Sequence, residues 1–280
     1  LTFNAVRRHQ AFEDTEFGYQ IGKVVANGRE LHYVINDTMM RIDLPQALRP
    51  GQSIEFSLDF AFNIVDEAGV GARSGYERFE KSDTYQFFMA QWFPRLAAYT
   101  DYTGWQHKQY LGGGEFTLEF GDYDVRLTVP DDHVLAATGE LQNAAEVLSA
   151  AQRERLQRAE TARQPVFIVT PEEAKANEAH RPNGTKTWHF RAKNVRDFAF
   201  ATSRKFIWDA MGAEGHSVNG RRVLAMSYYP KEGMPLWDKY STHAIAHTLD
   251  VYSRFSFPYP YPVAISVNGP VGGGMEYPMI

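Results

Sequence analysis

The stretch Ser53-Ile-Glu-Phe-Ser-Leu-Asp-Phe-Ala-Phe62 alternates apolar side chains with polar or small ones. Ile54, Phe56, Leu58 and Phe60 therefore fall on one face, which is typical of a half-buried β-strand. Two shorter strand-like runs, 31–35 and 39–44, lie on either side of the turn-forming pair Asn36-Asp37. Short strands separated by turns predict a mainly β protein with an antiparallel, β-sandwich-like domain.

The composition limits the classes of function. Of the 280 residues, 44% are hydrophobic and 14% aromatic, which is enough for a packed core and excludes intrinsic disorder. The formal net charge of −5 argues against nucleic-acid binding. The lack of cysteine excludes disulfides, cysteine-bound metals and thiol nucleophiles. No run of about 18 apolar residues predicts a membrane span. Exported and cytoplasmic locations both remain compatible with the sequence.

More strands are predicted in the first half of the chain. A hairpin is predicted over Glu115–Pro130, with Gly121-Asp122 at its turn, followed by a strand over 133–138. The Gly-rich and charged residues 66–83 are predicted to form a loop.

A helical insertion is predicted at about 143–187. Ser149 with Gln152, and Thr170 with Glu173, have the spacing of capping boxes at helix starts. Strand character returns at 188–190, 198–201 and 222–229.

The pattern changes again after Pro230. Residues 236–254 have helical spacing, and strands are predicted at 263–267 and 272–280. We therefore predict a β-rich N-terminal domain over 1–229 and the start of a second domain over 230–280. Because the chain begins without Met and ends in an apolar run, we expect it to be part of a longer protein.

Motifs of catalysis are sparse. His243 and His247 are one helical turn apart, like a helical metal pair, but the Glu of a metalloprotease helix is missing and only Asp250 is near. We predict two ordinary histidines and no metal site in this chain. There is no phosphate-binding loop or nucleophile elbow, so no catalytic residue is predicted here.

The segment Val271-Gly-Gly-Gly-Met-Glu-Tyr-Pro278 places one carboxylate, Glu276, in an apolar, Gly-rich setting. Glycines in a strand permit another backbone to approach closely, as a peptide does at a sheet edge. Glu276 would then bind a cation such as a substrate ammonium group. A turn-rich strand with one exposed Glu explains the same pattern equally well.

Four pieces of the chain resemble the aminopeptidase N family of zinc aminopeptidases. Gly273-Gly-Met-Glu-Tyr277 resembles its G-x-M-E-N exopeptidase motif. Gln86–Arg95 resembles a stretch of the family's N-terminal domain that reaches the active site. Glu115–Pro130 resembles a hairpin of the same domain. Phe255–Pro260 resembles the short sequence that follows the first helix of the catalytic domain. The pieces occur in the family's order and span most of the chain apart from the insertion.

The resemblance implies a fold, an activity and site residues. It implies that 230–280 contain the first helix and strands of a thermolysin-like α/β catalytic domain. Glu276 would bind the free α-amino group of a peptide substrate, Gln91 would assist it, and the backbone of Gly273, Gly274 and Met275 would pair with the peptide. Zinc in the parent protein would be held by an H-E-x-x-H helix beyond Ile280, so this chain alone would be inactive and bind no zinc. Gly274 and Tyr277 stand where the family has Ala and Asn.

Two other functions are compatible with the sequence. One is a non-catalytic binding or interaction module on the same scaffold. The other is a carbohydrate-binding sandwich, which would need an exposed aromatic platform at Trp92 or Trp105.

Overall fold

The computed structural model describes residues 18–111, 117–180 and 182–280, together with Val6. The chain divides into two compact units, one of Leu1–Ile64 with Phe93–Glu119 and one of Val65–Trp92 with Phe120–Ile280. Strands dominate both units, and within the described residues all strand pairs but one are antiparallel, so the predicted mainly β fold class is confirmed. The predicted domain boundary near Pro230 stays a prediction.

The strands are β1 (Gln20–Ala26), β2 (Arg29–Glu30), β3 (Tyr33–Asn36), β4 (Met39–Ile42), β5 (Ser57–Ala61), β6 (Gly75–Phe79), β7 (Thr84–Met89), β8 (Tyr99–Thr100), β9 (Gly104–Trp105), β10 (Gly121–Pro130), β11 (Val134–Ala137), β12 (Glu140–Leu141), β13 (Val166–Val169), β14 (Thr185–Val195), β15 (Phe200–Ser203), β16 (Ile207–Val218), β17 (Arg221–Tyr229) and β18 (Val263–Val267). The helices are α1 (Glu67–Val70), α2 (Ala144–Val147), α3 (Ala150–Ala159), α4 (Pro171–Ala179) and α5 (Trp237–Phe255), with a 3-10 turn at Lys231–Gly233. None of the described helices is long and apolar enough to span a membrane.

The first unit is built from short strands around a small apolar core. Its three-stranded sheet has the order β2-β1-β5, and β3 and β4 form a separate hairpin. Asp37 has a φ of 52° in the hairpin turn, a conformation that Asn and Asp tolerate better than most residues. Val24, Ala26 and Leu31 are buried at the centre.

The second unit contains three larger sheets. Their strand orders are β10-β14-β12, β11-β15-β7-β6 and β13-β16-β17-β18. The pair β17–β18 is parallel, and α5 supplies the crossover that parallel neighbours require. The predicted helix over 236–254 and strand over 263–267 are thereby confirmed, as are the helices and both capping boxes within 143–187. That stretch also contains β13, which pairs with β16, and its being an insertion stays a prediction.

Three sequence predictions were wrong. Gly121 begins β10 instead of forming a hairpin turn, and β10 pairs over its length with β14. That ladder sets Leu127 opposite Trp188, a larger apolar partner than the short 115–120 run offers. Within the predicted hairpin, Glu115 and Phe116 lie outside the described residues. Residues 66–83 contain α1 and β6 instead of a continuous loop. Residues 272–280 form turns instead of a strand.

A buried carboxylate fastens α5 to the sheet beneath it. Asp209 of β16 is 1% exposed and accepts hydrogen bonds from the hydroxyls of Tyr229, at 2.5 Å, and Thr242. Ser227 lies within hydrogen-bonding distance of Thr242 and of Ser241, at 2.7 and 2.9 Å. Burial raises the pKa of Asp209 to about 6, although the hydrogen bonds from Thr242 and Tyr229 oppose this shift.

We predict that Asp209 makes the stability of the second unit fall as the pH rises toward neutrality. The pKa of Asp209 in the folded state lies above its ordinary value of 3.8. Its contribution to the free energy of unfolding is therefore full below about pH 3.8 and is lost as the pH rises through 6. Between pH 4.5 and 7, wild type should lose about 2 kcal/mol of unfolding free energy relative to Asp209→Asn, which carries no titrating group.

The measurement is urea denaturation across this pH range. Glu214→Gln is the matched control, because Glu214 lies on the same strand but is exposed. If the free energies of unfolding of wild type and Asp209→Asn differ by the same amount at every pH from 4.5 to 7, the prediction is contradicted.

Candidate functional site

The end of the chain, residues 268–280, is held to the second unit by hydrogen bonds to its backbone carbonyls. The amide of Ile265 in β18 donates to the carbonyl of Met279 at 2.8 Å, and the hydroxyl of Thr138 donates to the carbonyl of Pro278 at 3.0 Å. Thr138 is fully buried and also accepts from the amide of Ala199 at 3.1 Å. The segment after Glu276 is thus fixed in place without regular strand structure.

A second attachment holds the beginning of this segment. Gln86, fully buried in β7, donates from its side-chain amide to the carbonyl of Asn268. The amide of Asn268 donates to the carbonyl of Tyr228 at 2.9 Å. The segment therefore leaves β18 in contact with both β7 and β17.

The predicted substrate-binding residues lie between these two attachments. Gly273 and Gly274 have φ values of 80° and 107°, a region that glycine adopts without strain. Met275 is half-buried. Glu276 is exposed, and its carboxylate forms no hydrogen bond or ion pair with any other residue in the described ranges. A Cβ atom added at Gly274 would lie 3.0 Å from Oε1 of Glu276.

Gln91 lies two residues beyond the end of β7. It is exposed and has a φ of 52°, which is uncommon for a residue other than glycine. The residues before and after it are held: the amide of Ala90 donates to the hydroxyl of Ser74 at 3.1 Å, and the indole of Trp92 donates to the carbonyl of Phe198 at 2.9 Å. A constrained, exposed polar residue of this kind is a candidate for binding.

The structure joins the elements that carry these residues. Gln86 and Asn268 connect β7, which leads to Gln91, with the segment that carries Gly273, Gly274, Met275 and Glu276. The anchors themselves, Gln86, Thr138 and Asn268, were not identified from the sequence. Of these three, Gln86 carries a sequence signal, because it is a polar residue within the largely apolar strand Thr-Tyr-Gln-Phe-Phe-Met.

The candidate metal pair and the candidate aromatic platform are also placed by the structure. His243 is half-buried and His247 exposed on α5, and no group of three or more potential ligands occurs in the described parts of the chain. Trp92 packs edge-on against Phe200, whereas Trp105 is 53% exposed and packs edge-on against Tyr99.

The fold is similar to that of M1 zinc metallopeptidases, which belong to the aminopeptidase N family. The crystal structure of such an enzyme from Deinococcus radiodurans aligns with a TM-score of 0.50 at 16% identity. A variant of that enzyme bound to a Tyr-Ser-Ala substrate aligns with a TM-score of 0.51 at 17% identity. Both alignments cover 90% of this chain and 47% of the other, so the chain spans about half the length of these structures. No protein-family model and no curated protein sequence matches the chain.

We predict that Thr138 keeps the terminal segment docked. Thr138→Val preserves the shape of the side chain but removes its bond to the Pro278 carbonyl, along with the one it accepts from the Ala199 amide, so the segment should open more often. Hydrogen exchange of the Ile265 amide, which is bonded to Met279, should accelerate about tenfold.

Two controls accompany this measurement. Thr138→Ser keeps the hydroxyl and should exchange like wild type. The Leu224 amide, bonded to Pro262, should not change in either variant. Equal protection of Ile265 in the Val and Ser variants would show that Thr138 does not hold the segment.

Proposed function

We propose that this chain is part of a zinc-dependent aminopeptidase, a hydrolase that removes N-terminal residues from peptides. In this proposal it contributes the N-terminal β-domain and the anchor for the substrate's amino group, and residues after Ile280 carry the zinc site. The observation that supports it most is the shared fold with M1 zinc metallopeptidases over 90% of the chain, together with the G-x-M-E sequence at Gly273–Glu276.

The geometry of the terminal segment supports the role of Glu276. Attachments at Asn268, Pro278 and Met279 hold the backbone on both sides, while the carboxylate stays exposed and unpaired among the described residues. A carboxylate held in this way binds an ammonium group through a charge-assisted hydrogen bond, worth about 1.5–3 kcal/mol. Because the backbone is already ordered, little conformational entropy is lost on binding.

The other residues have supporting roles in this proposal. The backbone of Gly273, Gly274 and Met275 would pair with the peptide, and the side-chain amide of Gln91 would orient the amino group. Gly274 also leaves space for the carboxylate of Glu276, since a Cβ atom there would lie 3.0 Å from Oε1. Zinc, when bound by the parent protein, supplies a metal-activated water for hydrolysis.

We predict that Glu276→Gln in the complete encoded protein selectively impairs cleavage of substrates with a free N-terminus. The neutral amide keeps the size of the side chain but loses the charge that pairs with ammonium. kcat/KM for aminoacyl anilides should fall about 10- to 100-fold. The residual rate with N-acetylated anilides, which carry no ammonium group, should stay within about twofold of wild type.

Glu154→Gln is the matched control, since Glu154 is an exposed carboxylate on α3 far along the sequence from the candidate site. It should leave both rates unchanged. If Glu276→Gln lowers the rates for free and acetylated substrates equally, Glu276 is not the ammonium anchor. If the complete protein binds peptides but hydrolyses none, the non-catalytic module is the correct function.

A further inference from the structure

Gln86 is an unusual residue for the place that it occupies. It lies on β7, an inner strand of its sheet, opposite Ser203 of β15 on one side and Glu77 of β6 on the other. Its side chain is fully buried, although glutamine is mostly found at protein surfaces. Thr84 and Phe88, which share its face of the strand, are buried as well. A polar amide at the centre of this strand therefore needs a partner.

Half of the Gln86 amide has such a partner. Its NH₂ group donates to the carbonyl of Asn268, whereas its oxygen, Oε1, has no hydrogen-bond partner among the described residues. The opposite orientation of the amide would set its oxygen against the carbonyl oxygen of Asn268. An unpaired buried acceptor lowers stability, and an apolar side chain of similar size would avoid that loss. Packing alone therefore does not account for Gln86.

The hydrogen bond that Gln86 donates joins two sheets of the second unit. β7 belongs to the sheet β11-β15-β7-β6, and Asn268 directly follows β18 of the sheet β13-β16-β17-β18. Because the amide of Asn268 donates to the carbonyl of Tyr228, both backbone polar groups of Asn268 are bonded. A Cβ atom added at Gly269 would lie 3.7 Å from Nε2 of Gln86, so the chain also passes close to this side chain. The direction in which the chain leaves β18 is thus fixed against β7.

The two predicted ligands of the substrate's amino group follow this contact, one on each strand's continuation. Gln91 follows Gln86 just beyond the end of β7, and Glu276 follows Asn268 in the terminal segment. Hydrogen bonds to one ammonium group require both side chains to lie about 3 Å from the same nitrogen. A misplacement of about 1 Å, caused by a residue outside the site, is enough to slow a reaction about 100-fold. The contact between β7 and Asn268 therefore bears directly on how an amino group is bound.

We propose that Gln86 is a positioning residue for the peptidase reaction. It holds the terminal segment against β7 so that Glu276 and Gln91 meet the same ammonium group. This inference rests on the proposed function of the chain. Gln86 itself is fully buried and contacts no substrate, so its effect is exerted through Glu276.

The test is Gln86→Met in the complete encoded protein, which keeps the size of the side chain and removes its donor. The KM of aminoacyl anilides should rise about tenfold and kcat should change less than about threefold, because the ammonium anchor is no longer held in place. The residual rate with N-acetylated anilides should stay within about twofold of wild type. Thr84→Val is the matched control: Thr84 is buried on the same face of β7, but its hydroxyl lies 2.7 Å from that of Ser82. It should leave both rates unchanged.

A double-mutant cycle separates positioning from a general loss of stability. If Gln86 acts through Glu276, adding Gln86→Met to Glu276→Gln should lower kcat/KM by less than about twofold. Two independent effects would instead multiply.

Gln86→Glu tests the same bond if the methionine variant does not fold. Burial favours the protonated form of a carboxyl group, which donates to the Asn268 carbonyl as the amide does. The KM of this variant relative to wild type should be close to one at pH 6. It should rise as the pH is raised to 8.5 and the carboxyl ionises.

Three results would overturn the proposal. The first is a KM for aminoacyl anilides that neither Gln86 variant changes, which would leave the peptidase function intact and remove the role of Gln86 alone. The second is an equal loss on free and acetylated substrates, or multiplying effects in the cycle, which would show that Gln86 serves stability only. The third is a wild-type protein that cleaves neither substrate, which would remove the proposed function and this inference with it.

Discussion

A buried carboxylate fastens α5, the helix that leads to β18 and the terminal segment, to the sheet beneath it. Asp209 is removed from water, and the hydroxyls of Tyr229 and Thr242 replace the hydrogen bonds it has lost. Because α5 connects β17 to the parallel strand β18, fixing this helix also fixes where β18 pairs. The chain then leaves β18 directly into the segment that carries the G-x-M-E sequence. Together with the apolar packing of Leu249, this polar interaction places the helix that precedes the terminal segment.

The candidate site separates the groups that hold its backbone from the group that would bind substrate. The buried side chains of Gln86 and Thr138 donate hydrogen bonds to carbonyls of the terminal segment. The exposed carboxylate of Glu276 is left without a partner among the described residues. A site needs this division, because a binding group must be positioned by neighbours and yet remain available for its ligand. The residues on either side of Gln91 are also held in place, by Ser74 and Phe198.

Local sequence patterns predicted local structure correctly, but they did not predict which strands pair when the partners are far apart in the sequence. The capping boxes at Ser149 and Thr170 were correct because a few neighbouring residues determine a helix start. The helix after Pro230 was correct because its apolar residues recur at helical spacing. The hairpin at Glu115–Pro130 was wrong because β10 finds its partner about 60 residues later, at Trp188 and its neighbours. The long strand β16 was missed, since its buried Ala and Gly residues show no alternation. Gln91 came from the family resemblance, and Glu276 from its Gly-rich, apolar setting together with that resemblance. The roles of both stay predictions, while the anchors Gln86 and Thr138 depend on contacts that no local pattern reveals.

We propose that this scaffold belongs to a zinc aminopeptidase, and zinc-dependent release of N-terminal residues tests this proposal most directly. The complete encoded protein is stripped of metal with a chelator, then titrated with zinc while hydrolysis of a panel of aminoacyl anilides is followed. We expect activity to vanish on stripping and to return with one zinc per chain, with free-amine substrates cleaved and acetylated ones spared. A stripped protein that regains no hydrolysis with zinc, or that cleaves both kinds of substrate equally, would contradict the claim.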